Sequence, residues 1–277
     1  MTIEEIIDKA LAEDIGIGDH TSLSTIPKGA TGKAQLLVKE DGILSGMEIA
    51  EQIFRKTDKQ IVFLPLLKDG DKIHRGDVAF TVEGPSASIL MAERLVLNFM
   101  QRMSGIATST ALYVNELSGL KAKVLDTRKT TPLLRELEKM AVRHGGGHNH
   151  RFGLYDMIMI KDNHVDFAGG ISKAIDAANI YLKNNLLNLQ IEIEVRSFDE
   201  LQQVLDKGGV DRIMLDNFKP EDLKKAVEII NGRYETEASG GITLNTIRAY
   251  AETGVDFISV GALTHHIKSL DLSLKAY

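Results

Sequence analysis

The sequence contains no cysteine among its 277 residues. Disulfide bonds, thiolate metal sites and cysteine nucleophiles are therefore excluded. No apolar run approaches the roughly 18 residues of a membrane span. Residues 1–16 read as an acidic helix rather than the basic start of a secretory signal. These features suit a soluble protein in a reducing compartment, and we expect a cytoplasmic location.

Basic residues are also in short supply. The chain has 33 Lys and Arg against 39 Asp and Glu, a net charge of −6. Proteins that bind nucleic acid draw most of their affinity from cations on phosphates, so this class is disfavoured. A small anionic ligand held in one local basic pocket remains compatible with the charge. With 43% apolar residues, the chain is long enough for one large domain or two modest ones.

The pattern of predicted elements changes near residue 107. Before it, short strands over 34–38, 61–67 and 78–82 alternate with tight turns. Asp41-Gly42 is the strongest of these turns and predicts a β-hairpin. Small strands at this spacing indicate a compact β-rich module with helices packed on it.

A long helix is predicted over residues 87–117. Its apolar positions fall near helical spacing and predict a buried stripe formed by Leu90, Leu95, Val96, Phe99 and Met103. Gly105 indicates a bend or a close packing contact. Arg94 and Arg102 need not share the stripe, and Arg102 could simply be solvated.

After residue 120 the pattern becomes strand followed by helix. The predicted strands cover residues 122–125, 157–160, 191–195, 211–215, 236–238 and 257–260. Strands alternating with helices predict parallel βαβ units. The absence of a dinucleotide-binding fingerprint favours a barrel, and the strand count falls short of eight. We therefore predict an incomplete (β/α) barrel.

Polar or glycine residues follow the same end of every predicted strand. They are Asp126 to Lys129, Lys161 to His164, Arg196 after the third strand, which itself contains Glu192 and Glu194, Asp216-Asn217, Ser239-Gly240-Gly241, and Gly261. Chemistry in such barrels takes place at the carboxyl ends of the strands. This coincidence predicts an active site there without reference to any known protein.

The predicted site contains both cations and carboxylates. Arg128, Lys129 and Lys161 are cationic, whereas Glu194 and Asp216 are anionic. Such a set suits a highly anionic substrate together with Mg²⁺, which prefers one or two carboxylates and substrate oxygens. The glycine-containing loops after the last two strands, each leading into a helix, suit a phosphate group.

Each of these positions also has a simpler interpretation. Glu194 could be a barrel residue satisfied by a neighbouring lysine, and Lys161 could be a Schiff-base lysine. His148 and His150 could form a metal pair, although they follow a triple glycine rather than a strand. Asp162 and Asn163 could be turn or cap residues.

The same residues carry a resemblance to a known family. The motifs DTRKTTP (126–132), GGGHNHR (145–151), GL (153–154) and IKDNH (160–164) resemble the quinolinate phosphoribosyltransferases. Further matching segments, including ERLVLNFMQRMSGIAT, EVRSFDE, LDNF, SGGI and VGALTH, run in order over nearly the whole chain. One departure is Leu133, where the family commonly has glycine.

The resemblance implies a fold and a reaction. The fold is an N-terminal α/β sandwich over 1–107, completed by residues 267–277, and an incomplete (β/α) barrel over 108–266. The enzyme, a pentosyltransferase, converts quinolinate and phosphoribosyl pyrophosphate to nicotinate mononucleotide, pyrophosphate and CO₂ in NAD synthesis. It uses Mg²⁺ and acts as a homodimer with a shared site, with larger assemblies left open.

The resemblance also implies roles for individual residues. Quinolinate and pyrophosphate would be bound by Arg94 (from the partner subunit), Arg128, Lys129, His150, Arg151 and Lys161. Glu194 and Asp216 would hold the ribose hydroxyls and Mg²⁺, while Ser239, Gly240 and Gly261 would hold the 5′-phosphate. Lys129, Lys161, Glu194 and Asp216 are the expected catalytic residues.

Three rival functions remain open on the sequence. They are a sugar-phosphate aldolase or metal-dependent hydrolase barrel, a non-catalytic sensor of anionic metabolites, and a related transferase acting on another heterocyclic acid.

Overall fold

The structure, a computed structural model, describes all 277 residues. The strands, β1 to β12, span in chain order Thr31–Val38, Gly42–Ile43, Val62–Pro65, Lys72–Ile73, Val78–Pro85, Lys123–Leu125, Ile158–Ile160, Ile191–Val195, Arg212–Asp216, Glu235–Ser239, Phe257–Ser259 and Leu272–Ala276. The helices, α1 to α11, span Ile3–Ile15, His20–Thr25, Met47–Thr57, Ser86–Glu116, Arg135–His144, Asp162–Ala168, Ile171–Asn184, Phe198–Lys207, Pro220–Ile230, Ile247–Ala251 and Ala262–His265. None of these helices combines the length and apolar character needed to cross a membrane.

The chain divides into two compact units. The first comprises Met1–Ala111, Thr130–Gly146 and Leu263–Tyr277, and the second comprises Leu112–Lys129 and Gly147–Ala262. The domain ranges expected from the sequence stay a prediction. The grouping in the structure differs from them chiefly in assigning Thr130–Gly146, which contains α5, to the first unit.

A charged contact accounts for the placement of α5. Arg102 on α4 donates from Nε and Nη2 to Oε1 of Glu138 on α5, at 3.0 and 2.6 Å. Glu138 is buried, and its Oε2 accepts the Thr131 N–H. The suggestion that Arg102 is merely solvated is therefore wrong, since it neutralises a buried carboxylate.

The first unit is built on an antiparallel sheet with the strand order β12-β1-β5-β3. Alternate residues of β1, namely Ala34, Leu36 and Val38, are buried, as expected for a strand with one face on a core. The rings of Phe54, Phe63 and Phe80 pack together beside this sheet, with centroids 4.6 to 6.1 Å apart. Burying each such side chain contributes roughly 1.5–3 kcal/mol.

The predicted hairpin at Asp41-Gly42 is wrong. Gly42 begins β2, which pairs with β4, whereas β1 pairs with β5 and with the C-terminal strand β12. Asp41 instead accepts the backbone N–H of Arg75 at 2.8 Å. These pairings are long-range, so the local turn signal could not reveal them.

The long helix is confirmed as α4, but one member of its predicted stripe is exposed. Leu95, Val96, Phe99 and Met103 are buried, whereas Leu90 is 45% exposed. At about 100° per residue, Leu90 lies about 140° round the helix from Leu95. Gly105 marks close packing, since a Cβ there would collide with the carbonyl of Lys268.

The second unit is built on six parallel strands in the order β6-β11-β10-β9-β8-β7. This is the cyclic order of a barrel, opened between its first and second strands. The sequence prediction of an incomplete (β/α) barrel is confirmed. The segment around His148 runs beside the open edge at β6, where the His148 N–H donates to the Val124 carbonyl at 2.8 Å.

Candidate active site

Strand register gathers polar side chains on one face of the parallel sheet. Glu192 on β8 aligns with Arg212 on β9, and Asp216 on β9 aligns with Ser239 on β10. Residues two apart on a strand share a face. The face defined in this way, called the polar face below, carries Lys161, Glu192, Glu194, Arg212, Asp216, Glu237 and Ser239.

The polar face is concave. His150 follows the segment that bridges to β6, and yet its Nε2 lies 2.9 Å from Oε2 of Glu192 on β8. In a flat sheet four strand spacings would separate β6 from β8 by about 19 Å. The sheet must therefore curl, so that its polar side chains converge as they do inside a barrel.

Lys161 and Glu194 meet at the carboxyl ends of β7 and β8. The Nζ of Lys161 donates to Oε2 of Glu194 at 2.6 Å, and the Glu194 side chain is only 9% exposed. The neighbouring lysine that could satisfy Glu194 is thus Lys161 itself. Asp162 begins α6, and the Lys161 N–H donates to Nδ1 of His164 at 2.9 Å, which fixes the turn.

Three further cations cluster beyond β6 and beside His150. Arg128 and Lys129 are exposed on the loop after β6, where the Lys129 N–H donates to Oγ1 of Thr127 at 3.0 Å. Arg151 is partly buried, and its Nη1 donates to the carbonyl of Met157 at 3.2 Å. Burial, together with repulsion from Arg128, lowers the pKa of Arg151. Neighbouring guanidinium groups that repel each other form an attractive site for an anion.

The ends of β9 and β10 meet through Asn217. Its side chain donates to Oδ2 of Asp216 at 2.5 Å, and its N–H donates to the Ser239 carbonyl at 2.8 Å. Gly240 has a φ of 103°, and a Cβ there would collide with the Asn217 side chain. Only glycine therefore allows this close approach.

The two late glycine loops differ in how they connect to the next helix. Gly261 leads directly into α11, whereas α10 begins only at Ile247, six residues after Gly241. Both loops are followed by a helix, as expected, but the loop at Gly241 reaches its helix only after a further turn. A turn over Thr243–Thr246, in which the Thr246 N–H donates to the Thr243 carbonyl at 3.0 Å, occupies the intervening chain.

His150 is buried among carboxylates rather than open to solvent. Its Nε2 lies 2.9 Å from Glu192 and 3.4 Å from Glu237. Although burial disfavours the charged ring, these two carboxylates raise the pKa of His150 to about 9. Burial and repulsion from Glu237 in turn raise the pKa of Glu192 to about 7. Both shifts mean that the His150–Glu192 pair retains a proton near neutral pH.

The suggested histidine metal pair does not form in this fold. Donor atoms of His150, Glu192 and Glu237 lie within 4.8 Å of one another, a spacing that could hold a metal ion. His148 is exposed and does not belong to this group. The sequence motif is thus not the donor set that the fold assembles.

Arg212, whose side chain is 11% exposed, and the fully buried Glu237 are charged residues that were not predicted from the sequence. Arg212 donates from Nη1 to Oε2 of Glu237 at 3.2 Å and from Nη2 to Oε2 of Glu235 at 2.9 Å. Its guanidinium also lies 4.0 Å from the centroid of the Phe257 ring. The available signal was the alternation of charged with apolar or small residues within two strands that otherwise read as buried.

One predicted site residue belongs to a different unit of the chain from all the others. Arg94 is exposed on α4 in the first unit. Every other predicted site residue belongs to the second unit, and those on strands or at strand ends follow the polar face just described.

Comparison with known proteins adds to this geometry. Residues 19–104 match the model of the quinolinate phosphoribosyl transferase N-terminal domain, and residues 106–275 match that of its C-terminal domain. The chain is 47% identical to quinolinate phosphoribosyltransferase [decarboxylating] 1b of Nicotiana tabacum, covering 99% of the chain and 82% of that protein. It is 43% identical to the probable nicotinate-nucleotide pyrophosphorylase [carboxylating] of Bacillus subtilis, covering 99% and 93%. The solved nicotinate-nucleotide pyrophosphorylase of Francisella tularensis superposes with a TM-score of 0.94 at 43% identity, covering 99% and 96%.

Proposed function

This chain belongs to the quinolinate phosphoribosyltransferase family, and from that premise we propose how its barrel joins quinolinate to phosphoribosyl pyrophosphate. The enzyme is a pentosyltransferase of NAD biosynthesis. Its products are nicotinate mononucleotide, pyrophosphate and CO₂.

The observation that carries the proposal is the convergence of cations at one end of the barrel. Lys161 lies at the polar face beside Glu194, and Arg128 lies close enough to Arg151 to lower its pKa. Quinolinate has two adjacent carboxylates, and its cosubstrate is a polyphosphate. Bringing both into one site requires compensating positive charge, because unpaired charge removed from water is costly.

The cations divide naturally between the two substrates. Arg128 and Arg151 offer planar forks suited to bidentate binding of the quinolinate carboxylates, with His150 beside them. Lys129 and Lys161 offer point charges for the pyrophosphate. Each charge-assisted hydrogen bond contributes roughly 1.5–3 kcal/mol.

The chemical steps need positioning and electrostatic stabilisation more than covalent catalysis. The C1′–oxygen bond breaks as pyrophosphate leaves, and the pyridine nitrogen bonds to the oxocarbenium-like C1′. Lys129 and Lys161 stabilise the charge on the leaving group. The ring nitrogen is then cationic, and its positive charge stabilises the electron pair left on C2 when the C2 carboxylate departs as CO₂. A proton takes its place at C2.

Glu194 and Asp216 would hold Mg²⁺ and the ribose hydroxyls. They supply carboxylate oxygens at the ends of adjacent strands, the donor type that Mg²⁺ prefers. Lys161 bonds to Oε2 of Glu194. When bound, the ion would neutralise charge on the pyrophosphate oxygens.

The 5′-phosphate would lie at Ser239, Gly240 and Gly261. Support comes from the close approach of Gly240 to Asn217, which only a residue without a Cβ permits. Backbone N–H groups in such glycine loops bind phosphate without a side-chain charge. Late-strand loops of barrels often serve this purpose.

A homodimer would complete the site, with larger assemblies left open. Arg94, exposed on the long helix α4, would enter the partner subunit's barrel and contact quinolinate. The cytoplasmic location expected from the composition also stays a prediction, and fractionation of the producing cells tests it.

The test is a turnover assay with quinolinate, nicotinate and nicotinamide in parallel, monitoring both pyrophosphate and CO₂. We expect turnover with quinolinate and stoichiometric release of both products. Binding of quinolinate without pyrophosphate release would instead indicate a sensor, and turnover without CO₂ would indicate another heterocyclic substrate. Reduction of a trapped imine at Lys161 by borohydride would indicate an aldolase.

Arg128→Ala links this activity to the site. The variant should lose at least about 100-fold in kcat/KM, since it removes a charged contact to substrate, while its Tm stays near that of the unmodified protein because Arg128 is exposed. Arg55→Ala, which removes an exposed arginine paired with Glu51 in the first unit, is the matched control. Normal kinetics in a folded Arg128→Ala protein would refute the assignment.

A further inference from the structure

Four ionisable residues form a layer just below the proposed site. Glu192 precedes Glu194 by two residues on β8, and Glu237 precedes Ser239 by two on β10. Both carboxylates have no exposed surface. Both lie beside Nε2 of His150, Glu192 at 2.9 Å and Glu237 at 3.4 Å, and Glu237 also contacts Arg212 at 3.2 Å. The proposed reaction uses only His150 among these four.

The layer holds the His150 ring at both nitrogens. Nε2 faces the two carboxylates, and Nδ1 accepts the backbone N–H of Arg151 at 2.6 Å. The backbone N–H of His150 donates to Oδ1 of Asp126, a fully buried residue at the end of β6. The two carboxylates favour a charged ring, but Nδ1 cannot carry a second proton while it accepts the Arg151 N–H, so the ring keeps one proton, at Nε2.

We propose that Glu237 and Glu192 are positioning residues, which fix the orientation and tautomer of His150 and thereby set the place of Arg151 in the quinolinate pocket. The inference rests on the proposed function for the ligand of Arg151. The chain of contacts runs from the two carboxylates to Nε2, through the ring to Nδ1, and on to the Arg151 backbone. Residues that hydrogen-bond to a ligand-binding histidine fix its orientation, and replacing them usually impairs its function.

Charge balance favours an imidazole N–H over a metal ion at this position. Two carboxylates carry two negative charges, and Arg212 compensates part of them through its contact with Glu237. A divalent cation beside that guanidinium would meet direct repulsion. An Nε2–H group faces the two carboxylates without placing a divalent cation beside Arg212.

The first measurement is a ¹⁵N spectrum of the histidine rings, and its only variant serves to identify the His150 signal. The chain has eight histidines, so ring ¹⁵N spectra of the histidine-labelled protein are resolvable, and loss of one signal in His150→Asn identifies His150. We expect a single Nε2–H tautomer with a ring proton protected from solvent exchange. A mixture of tautomers, a rapidly exchanging ring proton or a stoichiometric metal ion at these residues would overturn the proposal.

The second measurement compares two glutamates of one strand. Glu237→Gln should raise the KM for quinolinate by about tenfold or more, as orienting partners commonly do, with a smaller change in the KM for phosphoribosyl pyrophosphate. Glu235→Gln is the matched control, because Glu235 is exposed and also bonds Arg212. Glu192→Gln gives an independent second variant, and thermal unfolding shows which variants are folded.

The outcomes separate this proposal from the function on which it rests. If folded Glu237→Gln and Glu192→Gln both match Glu235→Gln in KM and in the His150 spectrum, the positioning role is wrong. If the unmodified protein does not turn over quinolinate, the proposed function fails, and the ring spectra still decide whether the carboxylates fix His150.

Discussion

Two glutamates two residues apart on β8 have different surroundings. Glu192 is fully buried beside Glu237, and burial raises its pKa to about 7. Glu194 reaches the carboxyl end of the strand and accepts a hydrogen bond from Lys161. Environment therefore separates their tasks, as it does for paired carboxylates in other active sites. Glu194 lies at the strand end where the proposed substrate and metal ion would bind, whereas the fully buried Glu192 faces His150.

The first prediction at the residue scale concerns Glu194. Glu194→Gln keeps the size of the side chain but removes its charge, so it should weaken Mg²⁺-dependent binding of phosphoribosyl pyrophosphate. We expect the Mg²⁺ concentration for half-maximal activity to rise about tenfold, which corresponds to about 1.4 kcal/mol. Titrating activity with Mg²⁺ measures this directly. An unchanged titration would remove Glu194 from the proposed metal site.

Leu133 is a second residue whose surroundings lead to a prediction. Its φ is 70°, and its side chain is 69% exposed. An L-residue in this region costs roughly 1–2 kcal/mol, whereas glycine adopts it freely but loses more backbone entropy on folding. The net effect of Leu133→Gly should be a gain of about 0.5–1 kcal/mol in the free energy of unfolding.

Urea denaturation checks the Leu133 prediction against a matched leucine. Leu66 is also exposed, at 53%, but its φ is not positive. Leu66→Gly should therefore destabilise the protein by about 0.5–1 kcal/mol. Equal losses in both variants would show that the Leu133 backbone is not strained.

At the scale of elements, the periodic patterns predicted the parallel strands well. The range 191–195 coincides with β8, and the helix expected after each strand is found, for example α9 after β9. The charged strand ends could be predicted because the end of a strand is local information. The prediction that Leu90 is buried was wrong, because its spacing along the sequence fits a helical stripe but its angle around the helix does not. Predicting the partners of His150 would have required knowing that β8 and β10 curl towards β6, and no local sequence pattern reveals this curvature.

One carboxylate adds hydrogen bonds between β10 and the start of β11, and it gives a prediction for the pH dependence of stability. Asp256, just before β11, accepts from the N–H and hydroxyl of Thr236 at 2.9 and 2.7 Å and from Lys121 at 3.0 Å. Partial burial raises the pKa of Asp256, but hydrogen bonds from Thr236 and Lys121 hold this pKa below its usual value. The stabilisation that follows from this lowered pKa is present at pH values above the pKa of Asp256 in the unfolded protein. It is lost as the pH falls through the lower pKa of the folded protein.

Asp256→Asn should therefore cost about 1 kcal/mol at pH 7, a value reduced for solvent screening because the side chain is 34% exposed. The cost should shrink in acid, where the unmodified carboxyl is protonated as well. Thermal unfolding of both proteins between about pH 2.5 and 7 measures the difference. Asp222→Asn, on an exposed carboxylate of α9, is the control. A constant difference in Tm across this range would contradict the prediction.

At the scale of the whole molecule, an acidic protein contains a cationic site. The net charge is −6, so anionic substrates are not attracted by the molecule as a whole. Attraction has to come from the arginines and lysines at the barrel mouth. Supplying one more of these cations from a second subunit would add positive charge at the place where two polyanions meet, without placing it near the other cations in the free monomer.

The proposed shared site predicts activity in hybrid dimers of two inactive proteins. Arg94→Ala lacks the arginine that we propose enters the partner's barrel, and Lys161→Ala lacks the lysine of the barrel itself. A hybrid of the two has one site with both defects and one intact site. In a symmetric dimer with random exchange, half of the dimers are hybrids, so about one quarter of the sites should be active.

Mixing the variants under exchange conditions and assaying pyrophosphate release measures this recovery, and differently tagged subunits show that exchange occurred. Mixing Lys161→Ala with Arg128→Ala is the control, since both residues belong to the same barrel and neither would be supplied by the partner subunit. Confirmed exchange with no recovery above the separate variants would show that Arg94 does not act across the dimer.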